Sequence, residues 1–266
     1  MLWYGQACNI HYHHRRHFLL KSMFALSGLL MGFGRRPEAL AGADRPRIAL
    51  IIDDIGHSRA RAQEFLNLDV ALTFSVLPHL TYSRELAIEM NRIGYEVMLH
   101  QPMEPYNTAN DPGPGALFVG DSRQRIMDVM EANIENVPYA GGLNNHMGSK
   151  FTQSREDISE ALEIIKKNKL FFVDSCTSNH SKAHATARSF KIPSLSRRIF
   201  LDNTREESAV LLELARLKKC ALRVGQAVGI GHPFMPTARA IHRFARDEHN
   251  ADIELVSVSE LLKSGV

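Results

Sequence analysis

Ile48-Ala49-Leu50-Ile51-Ile52-Asp53-Asp54-Ile55-Gly56 is the stretch that decides the fold. An unbroken apolar run, stopped by two acids and then a glycine, reads as a strand buried on both faces that ends in a turn. That turn has no glycine-rich GxGxxG loop, so the strand does not open a dinucleotide-binding sheet.

Downstream the pattern repeats. Apolar runs at Val70–Leu77, Tyr95–Leu99, Gly141–Asn145, Leu170–Val173, Ile199–Leu201, Ala221–Ile230 and Ile253–Val258 predict further strands. Helical stretches are expected between them, around Arg59–Leu66, Ser83–Ile93, Arg123–Asn136, Arg155–Asn168, Glu206–Lys219 and Thr237–Glu248. In the fourth of these, Ile158, Leu162 and Ile165 form one apolar stripe. Acids occupy its first turn, lysines its last, and Ser154 is placed to cap it. Strand–helix alternation implies a parallel sheet, and seven to eight units imply closure into a distorted (β/α) barrel. The chain has 266 residues, and a barrel domain commonly takes about 250. An open doubly wound sheet is the other arrangement of the same elements.

The first 43 residues have a different character. Basic and histidine residues (His13, His14, Arg15, Arg16, His17) precede an uncharged apolar segment, Ser22–Phe33, and then Ala41-Gly42-Ala43. This order is that of a secretory signal. Arg15-Arg16-His17-Phe18-Leu19-Leu20-Lys21 approaches the twin-arginine pattern, whereas Arg35-Arg36 after the apolar run suits an uncleaved anchor. Residues 1–43 are therefore expected to be a signal peptide or N-terminal anchor, and 44–266 the barrel, working in the periplasm or outside the cytoplasm. The leader holds five basic residues and one acid, leaving 27 basic against 28 acidic in the remainder. A folded part of that balance is not a nucleic-acid binder. Any membrane contact is expected only through an uncleaved leader. Cys176 and Cys220 are too few to define a disulfide framework.

The chemistry collects at strand ends. Asp53 and Asp54 follow the first strand, His79 the second, His100 the third and His146 the fourth. Asp174, Asp202 and His232 follow the next three. In a parallel barrel these positions share the carboxyl rim, where catalysis takes place. Aspartate and histidine without cysteine suit an open site for a divalent ion, zinc first among them. Such an ion lowers the pKa of water, with a nearby carboxylate as base and an imidazole as acid. The bland readings are a rim position for His79 and helix capping by Asp202. The long segment Gln101–Asp121, with Pro102, Pro105, Pro112 and Pro114, is expected to shape the cleft.

Taken together, the Asp-Asp-Ile-Gly turn, His100-Gln101-Pro102-Met103-Glu104-Pro105, Asn144-Asn145-His146-Met147-Gly148-Ser149, Phe172-Val173-Asp174-Ser175 and Gly231-His232-Pro233 resemble the divergent polysaccharide deacetylase family from about Arg47 to Leu262. The resemblance implies a metal-dependent hydrolase that removes acetyl groups from an envelope polysaccharide or amino-sugar glycan. Carried over by position, Asp53 resembles the general base, Asp54 and His100 metal ligands, and His232 the general acid. Glu104 stands where the deacetylases have the second histidine of His-x-x-x-His. The third ligand is then His146 or Glu104, and His146 is preferred because Pro102 and Pro105 favour a loop that carries Glu104 away. Asp174 is expected to orient His232 or bind substrate, and Asn145 and Ser175 are candidates for the same roles. Loss of the usual histidine pair leaves a second reading, an inactive glycan- or partner-binding envelope protein on the same barrel. A two-carboxylate glycosidase using Asp53 and Asp174 gives His100 and His146 no role.

Overall fold

The computed structural model describes residues 45–263, and the expectations for residues 1–43 fall outside them. Strands and helices alternate: β1 (Arg47–Ile55), α1 (Arg59–Leu66), β2 (Thr73–Val76), α2 (Ser83–Arg92), β3 (Glu96–Met103), α3 (Arg123–Asn136), β4 (Ala140–Met147), α4 (Arg155–Lys167), β5 (Phe171–Asp174) and α5 (Ala183–Ser189). Then follow β6 (Ser194–Ser196), β7 (Ile199–Phe200), α6 (Glu207–Val224), β8 (Gln226–Gly231), α7 (Met235–Arg246), β9 (Glu254–Val256) and α8 (Val258–Lys263). All strand pairings in the sheet are parallel, in the order β6-β5-β4-β3-β2-β1-β8-β7, with β9 beside the start of β1. This is the expected α/β barrel in distorted form.

Its distortion has a definite place. Residues 194–200 run along β5 as β6 and then along β8 as β7, changing neighbours at Arg197-Arg198. The Arg197 amide donates to Asp174 O at 2.9 Å, and the next amide, of Arg198, donates to Val228 O at 2.8 Å. One kinked segment thus joins the two edges of the sheet. Its first half, Ser-Leu-Ser, lacks the apolar run that marks a strand in sequence, which is why only the second half was expected.

The side-chain alternation of β-strands sorts the core into two layers. Ile48, Leu50 and Ile52 pack outward against the helices. Ala49 and Ile51 point inward with Met98, Phe171, Val173, Val228 and Ile230. Gly142 makes room for Phe171, since a Cβ there would lie 2.1 Å from the ring. On α4, the buried stripe of Ile158, Leu162 and Ile165 forms as expected, and Ser154 Oγ caps the helix at Asp157 N. Each such side chain stabilises the fold by about 1.5–3 kcal/mol.

The N-terminal end of the barrel is plugged. Val258 and Leu261 of α8 join the inner layer, and both Glu96 carboxylate oxygens accept the Ser259 amide at 3.0 Å. Burial pushes the Glu96 carboxyl up despite those bonds. Chemistry is left to the opposite rim.

Several boundaries differ from expectation: β3 runs on past Leu99 to Met103, so His100 lies inside the strand and Gln101–Met103 are not loop, and Val258 opens α8 instead of closing a strand. The segment Ala221–Ile230 is not one strand: Ala221–Val224 form the last turn of α6, ended by Gly225 at φ 88°. An apolar run shared by a helix end and a strand start is not divided by periodicity, whereas left-handed glycine divides it. The second strand is shorter than Val70–Leu77, because residues 70–72 belong to the loop leading into β2 and Leu77 follows its end.

Candidate metal centre

Asp53 and Asp54 both reach the site because β1 is irregular there. Ile52 pairs with Phe74 but Ile55 with Val76, so three steps on β1 match two on β2. Asp54 sits in this bulge at φ 56°, a left-handed conformation that aspartate tolerates better than most residues. Met147 (φ 51°) and Cys176 (φ 48°) turn the ends of β4 and β5 in the same way. Strained turns of this kind gather at functional sites.

Asp54 Oδ1, His100 Nε2 and His146 Nδ1 form a nearly equilateral triangle. Asp54 Oδ1 lies 3.3 Å from His100 Nε2 and 3.1 Å from His146 Nδ1, and the two nitrogens are 3.2 Å apart. Ligands of one tetrahedral zinc at about 2.0–2.1 Å are separated by roughly 3.3 Å. Asp54 Oδ1 is buried and, despite its close neighbours, accepts no hydrogen bond of good angle. A cation at the centre answers all three atoms, so the donor set fits a divalent ion.

His100 is held in the required tautomer. Its Nδ1 is 2.7 Å from Asn144 Oδ1, which also accepts from Ser75 Oγ at 2.5 Å. Asn144 Nδ2 donates to Asp53 Oδ1 at 2.8 Å, fixing which end of the amide is the acceptor. His100 Nδ1 therefore carries the proton and Nε2 presents its lone pair. Asn144 was not singled out from sequence. The available signal was strand alternation, which places Asn144 on the face of His146 and opposite His100 in register.

The electrostatics divide the two acids. Burial pushes the Asp53 carboxyl up, although His100, His232 and the Asn144 amide pull against it. Burial would also raise Asp54, but the close polar contacts with His100 and His146 and their charges hold it well below the usual range. Burial opposes a charged His100, yet Asp53 and Asp54 outweigh it and favour the cation. The same surroundings favour a metal ion.

His232 approaches from β8, with Nε2 4.0 Å from Asp54 Oδ2. Its ring packs against Phe200 (centroids 6.0 Å apart) and Phe234 (5.9 Å). Burial disfavours its charge, but the bond to Asp202 prevails and its pKa is pushed up to about 9.

Asp202, not Asp174, orients this histidine. Asp202 Oδ1 is 2.8 Å from His232 Nδ1, while Oδ2 accepts the His232 amide at 2.6 Å and Thr237 Oγ1 at 2.8 Å. The capping reading for Asp202 fails as well, because Glu206 is the N-cap of α6 and makes no side-chain cap bond. Asp174 instead accepts from Cys176 N, Ser181 Oγ and His184 N, and so shapes the loop after β5. β7, which leads to Asp202, lies next to β8, and β5 does not.

Glu104 points elsewhere. It accepts from Lys150 Nζ at 2.7 Å and Val119 N at 2.9 Å, pinning the long loop. His79 is tied to α3 through Asn133 at 2.7 Å. Asn145 bridges loops, accepting Ser175 N and donating to Met147 O. Asn145 and Ser175 line a cleft of about 290 Å³ that also contains Asp53, Asp54, His100, His146, Phe200 and His232, whereas Asp174 does not.

A parallel α/β barrel with a histidine–aspartate cluster at its carboxyl rim defines a protein with a candidate divalent-metal site. More specifically, the chain belongs to the divergent polysaccharide deacetylase family, whose profile matches residues 50–262. It is 31% identical over 216 residues to the uncharacterized protein YibQ of Escherichia coli K12, covering 81% of this chain and 67% of that one. It is 28% identical over 218 residues to an uncharacterized protein of Haemophilus influenzae, covering 82% and 77%. The crystal structure of the uncharacterized protein ATU2773 from Agrobacterium tumefaciens C58 aligns with a TM-score of 0.79 at 26% identity, covering 83% of this chain and 91% of that one.

Proposed function

We propose that this protein is a metal-dependent hydrolase that removes acetyl groups from an envelope polysaccharide or amino-sugar glycan. The observation that carries the reading is the Asp54–His100–His146 triangle with a high-pKa carboxyl and a high-pKa imidazole beside it. In this reading Asp54, His100 and His146 hold the ion, zinc by preference, and Glu104 does not. When bound, the ion supplies Lewis acidity that polarises an acyl carbonyl and lowers the pKa of water.

The protein's own groups move the protons. Asp53 Oδ2, 3.5 Å from His100 Nε2, is placed to take the proton of the attacking water. Asn144 keeps that carboxyl aimed through its bond to Oδ1. His232, whose pKa the bond to Asp202 pushes up to about 9, is placed with Nδ1 tied to Asp202 to offer an Nε2 proton to the departing amine or alcohol. Phe200 and Phe234 fix the ring plane. Asn145 and Ser175 form part of the wall against which the substrate lies. The leader-like order of residues 1–43 supports a site of action outside the cytoplasm.

The test is elemental analysis together with acetate release from acetylated glycans. About one divalent ion per chain is expected, and His100→Ala should lose both ion and activity. A His100→Ala protein that keeps its metal and its activity refutes the assignment.

A further inference from the structure

The cleft does not end at the metal triangle. A second hollow of about 470 Å³ adjoins it and shares Asp54 and Phe234 with it. Arg61 and His57 line this outer lobe, and Arg205 lines the inner one. We propose that the cleft binds a glycan bearing a carboxylate substituent close to its acetyl group, with Arg61 and Arg205 recognising the carboxylate. This inference rests on the deacetylase reading for the acetyl group alone.

Three acids line the two lobes, and each has partners. Asp53 is bonded to Asn144, Asp54 faces His100 and His146, and Asp202 holds His232 and Thr237. No acid is left to face the arginines. Among the described residues, neither Arg61 nor Arg205 makes an ion pair, whereas Arg59 on α1 pairs with Glu85 and Arg239 on α7 with Glu207.

Presentation supports the same ligand. The Arg205 guanidinium lies over the Phe234 ring, 4.0 Å from its centroid. Stacking occupies one face of the guanidinium plane and leaves its N–H edge for a planar, two-oxygen acceptor. A carboxylate matches that edge with two parallel hydrogen bonds, and a neutral sugar hydroxyl does not. The N-caps of α1 (Ser58) and α7 (Phe234) also border the outer lobe, and their helix ends add positive potential there. A divalent ion in the triangle would offset the nearby carboxylates and leave the arginines in excess.

The experiment compares two probes on the zinc-loaded full chain: N-acetylated chitopentaose and the same oligomer carrying 6-O-carboxymethyl groups. Calorimetry at low salt should show about tenfold tighter binding of the carboxymethylated oligomer, as two exposed ion pairs allow. The preference should shrink at high salt. It should vanish in the Arg61→Ala/Arg205→Ala double variant and persist in Arg223→Ala, a change on the exposed end of α6. Equal affinity for the two probes overturns the proposal. So does a preference that survives the double variant, or one that Arg223→Ala removes equally. Acetate release is read in parallel: preference without acetate release removes the deacetylase reading and keeps this one, whereas acetate release without preference does the reverse.

Discussion

Replacing Asn144 tests the logic of the metal centre without touching a proposed ligand. Asn144 is fully buried, and its amide serves His100, Ser75 and Asp53. In Asn144→Leu the branched outline is kept in a slightly larger side chain, but three buried polar groups lose their partner. Each such loss costs about 1–3 kcal/mol, so a total on the order of 3–5 kcal/mol is expected after relaxation. The His100 ring is also freed to change tautomer, and loss of an outer-shell partner typically weakens metal binding by about 10–100-fold. Asn144→Asp separates the two effects. It keeps an acceptor for His100 and Ser75, but places a second carboxyl oxygen near the position 2.8 Å from Asp53 Oδ1. The two carboxyls must then share a proton. Metal affinity is therefore expected to stay within a few-fold of the parent in Asn144→Asp and to fall sharply in Asn144→Leu. Competitive zinc titration against a chromophoric chelator measures both, with circular dichroism reporting the folded fraction. Equal affinities in the two folded variants would refute the tautomer argument.

Asp202→Asn should lower the pKa of His232 from about 9 toward the ordinary 6.5. A pKa raised on folding gives stability that is complete below 6.5 and lost as pH rises through about 9. The variant's denaturant midpoint should therefore fall less over that window, and the alkaline limb of acetate release should move to lower pH. Glu104→Gln should leave metal content unchanged, since Glu104 contacts Lys150 and Val119 rather than the triangle. Limited proteolysis should be faster within residues 105–118, and a loss of metal would restore Glu104 as a ligand. Gly142→Ala should destabilise the fold by about 1–3 kcal/mol through overpacking on Phe171. Adding Phe171→Leu should recover part of that loss, and additive effects in the melting temperature would count against the contact.

The parallel barrel was legible because its strands are apolar on both faces and its rim residues differ sharply from them, as Ile48–Ile52 before Asp53-Asp54 shows. In the geometry His146 and not Glu104 joins the triangle, although Pro102, expected in a loop, lies within β3 and Glu104 turns to Lys150 just beyond the strand's end. What the reading of the sequence did not use was the pairing of consecutive strands. Asp174 and Asp202 look alike in the chain, each at a strand end, and only the placement of β7 beside β8 gives the second of them to His232. Asn144 was hidden for a different reason. It adjoins Asn145, and choosing between neighbours on a strand requires knowing which face is inside.

The neighbour change at Arg197-Arg198 has a mechanical consequence. β8, which leads to His232, is fastened to β1 by six register positions and to β7 by two. The wall is therefore a cuff with one firm side and one light clasp. A bulky polymer that widened it at the clasp would move the β5–β6 edge, with Ser175, away from His232. The acid and the paired aspartates would travel together on the firm side and keep their spacing.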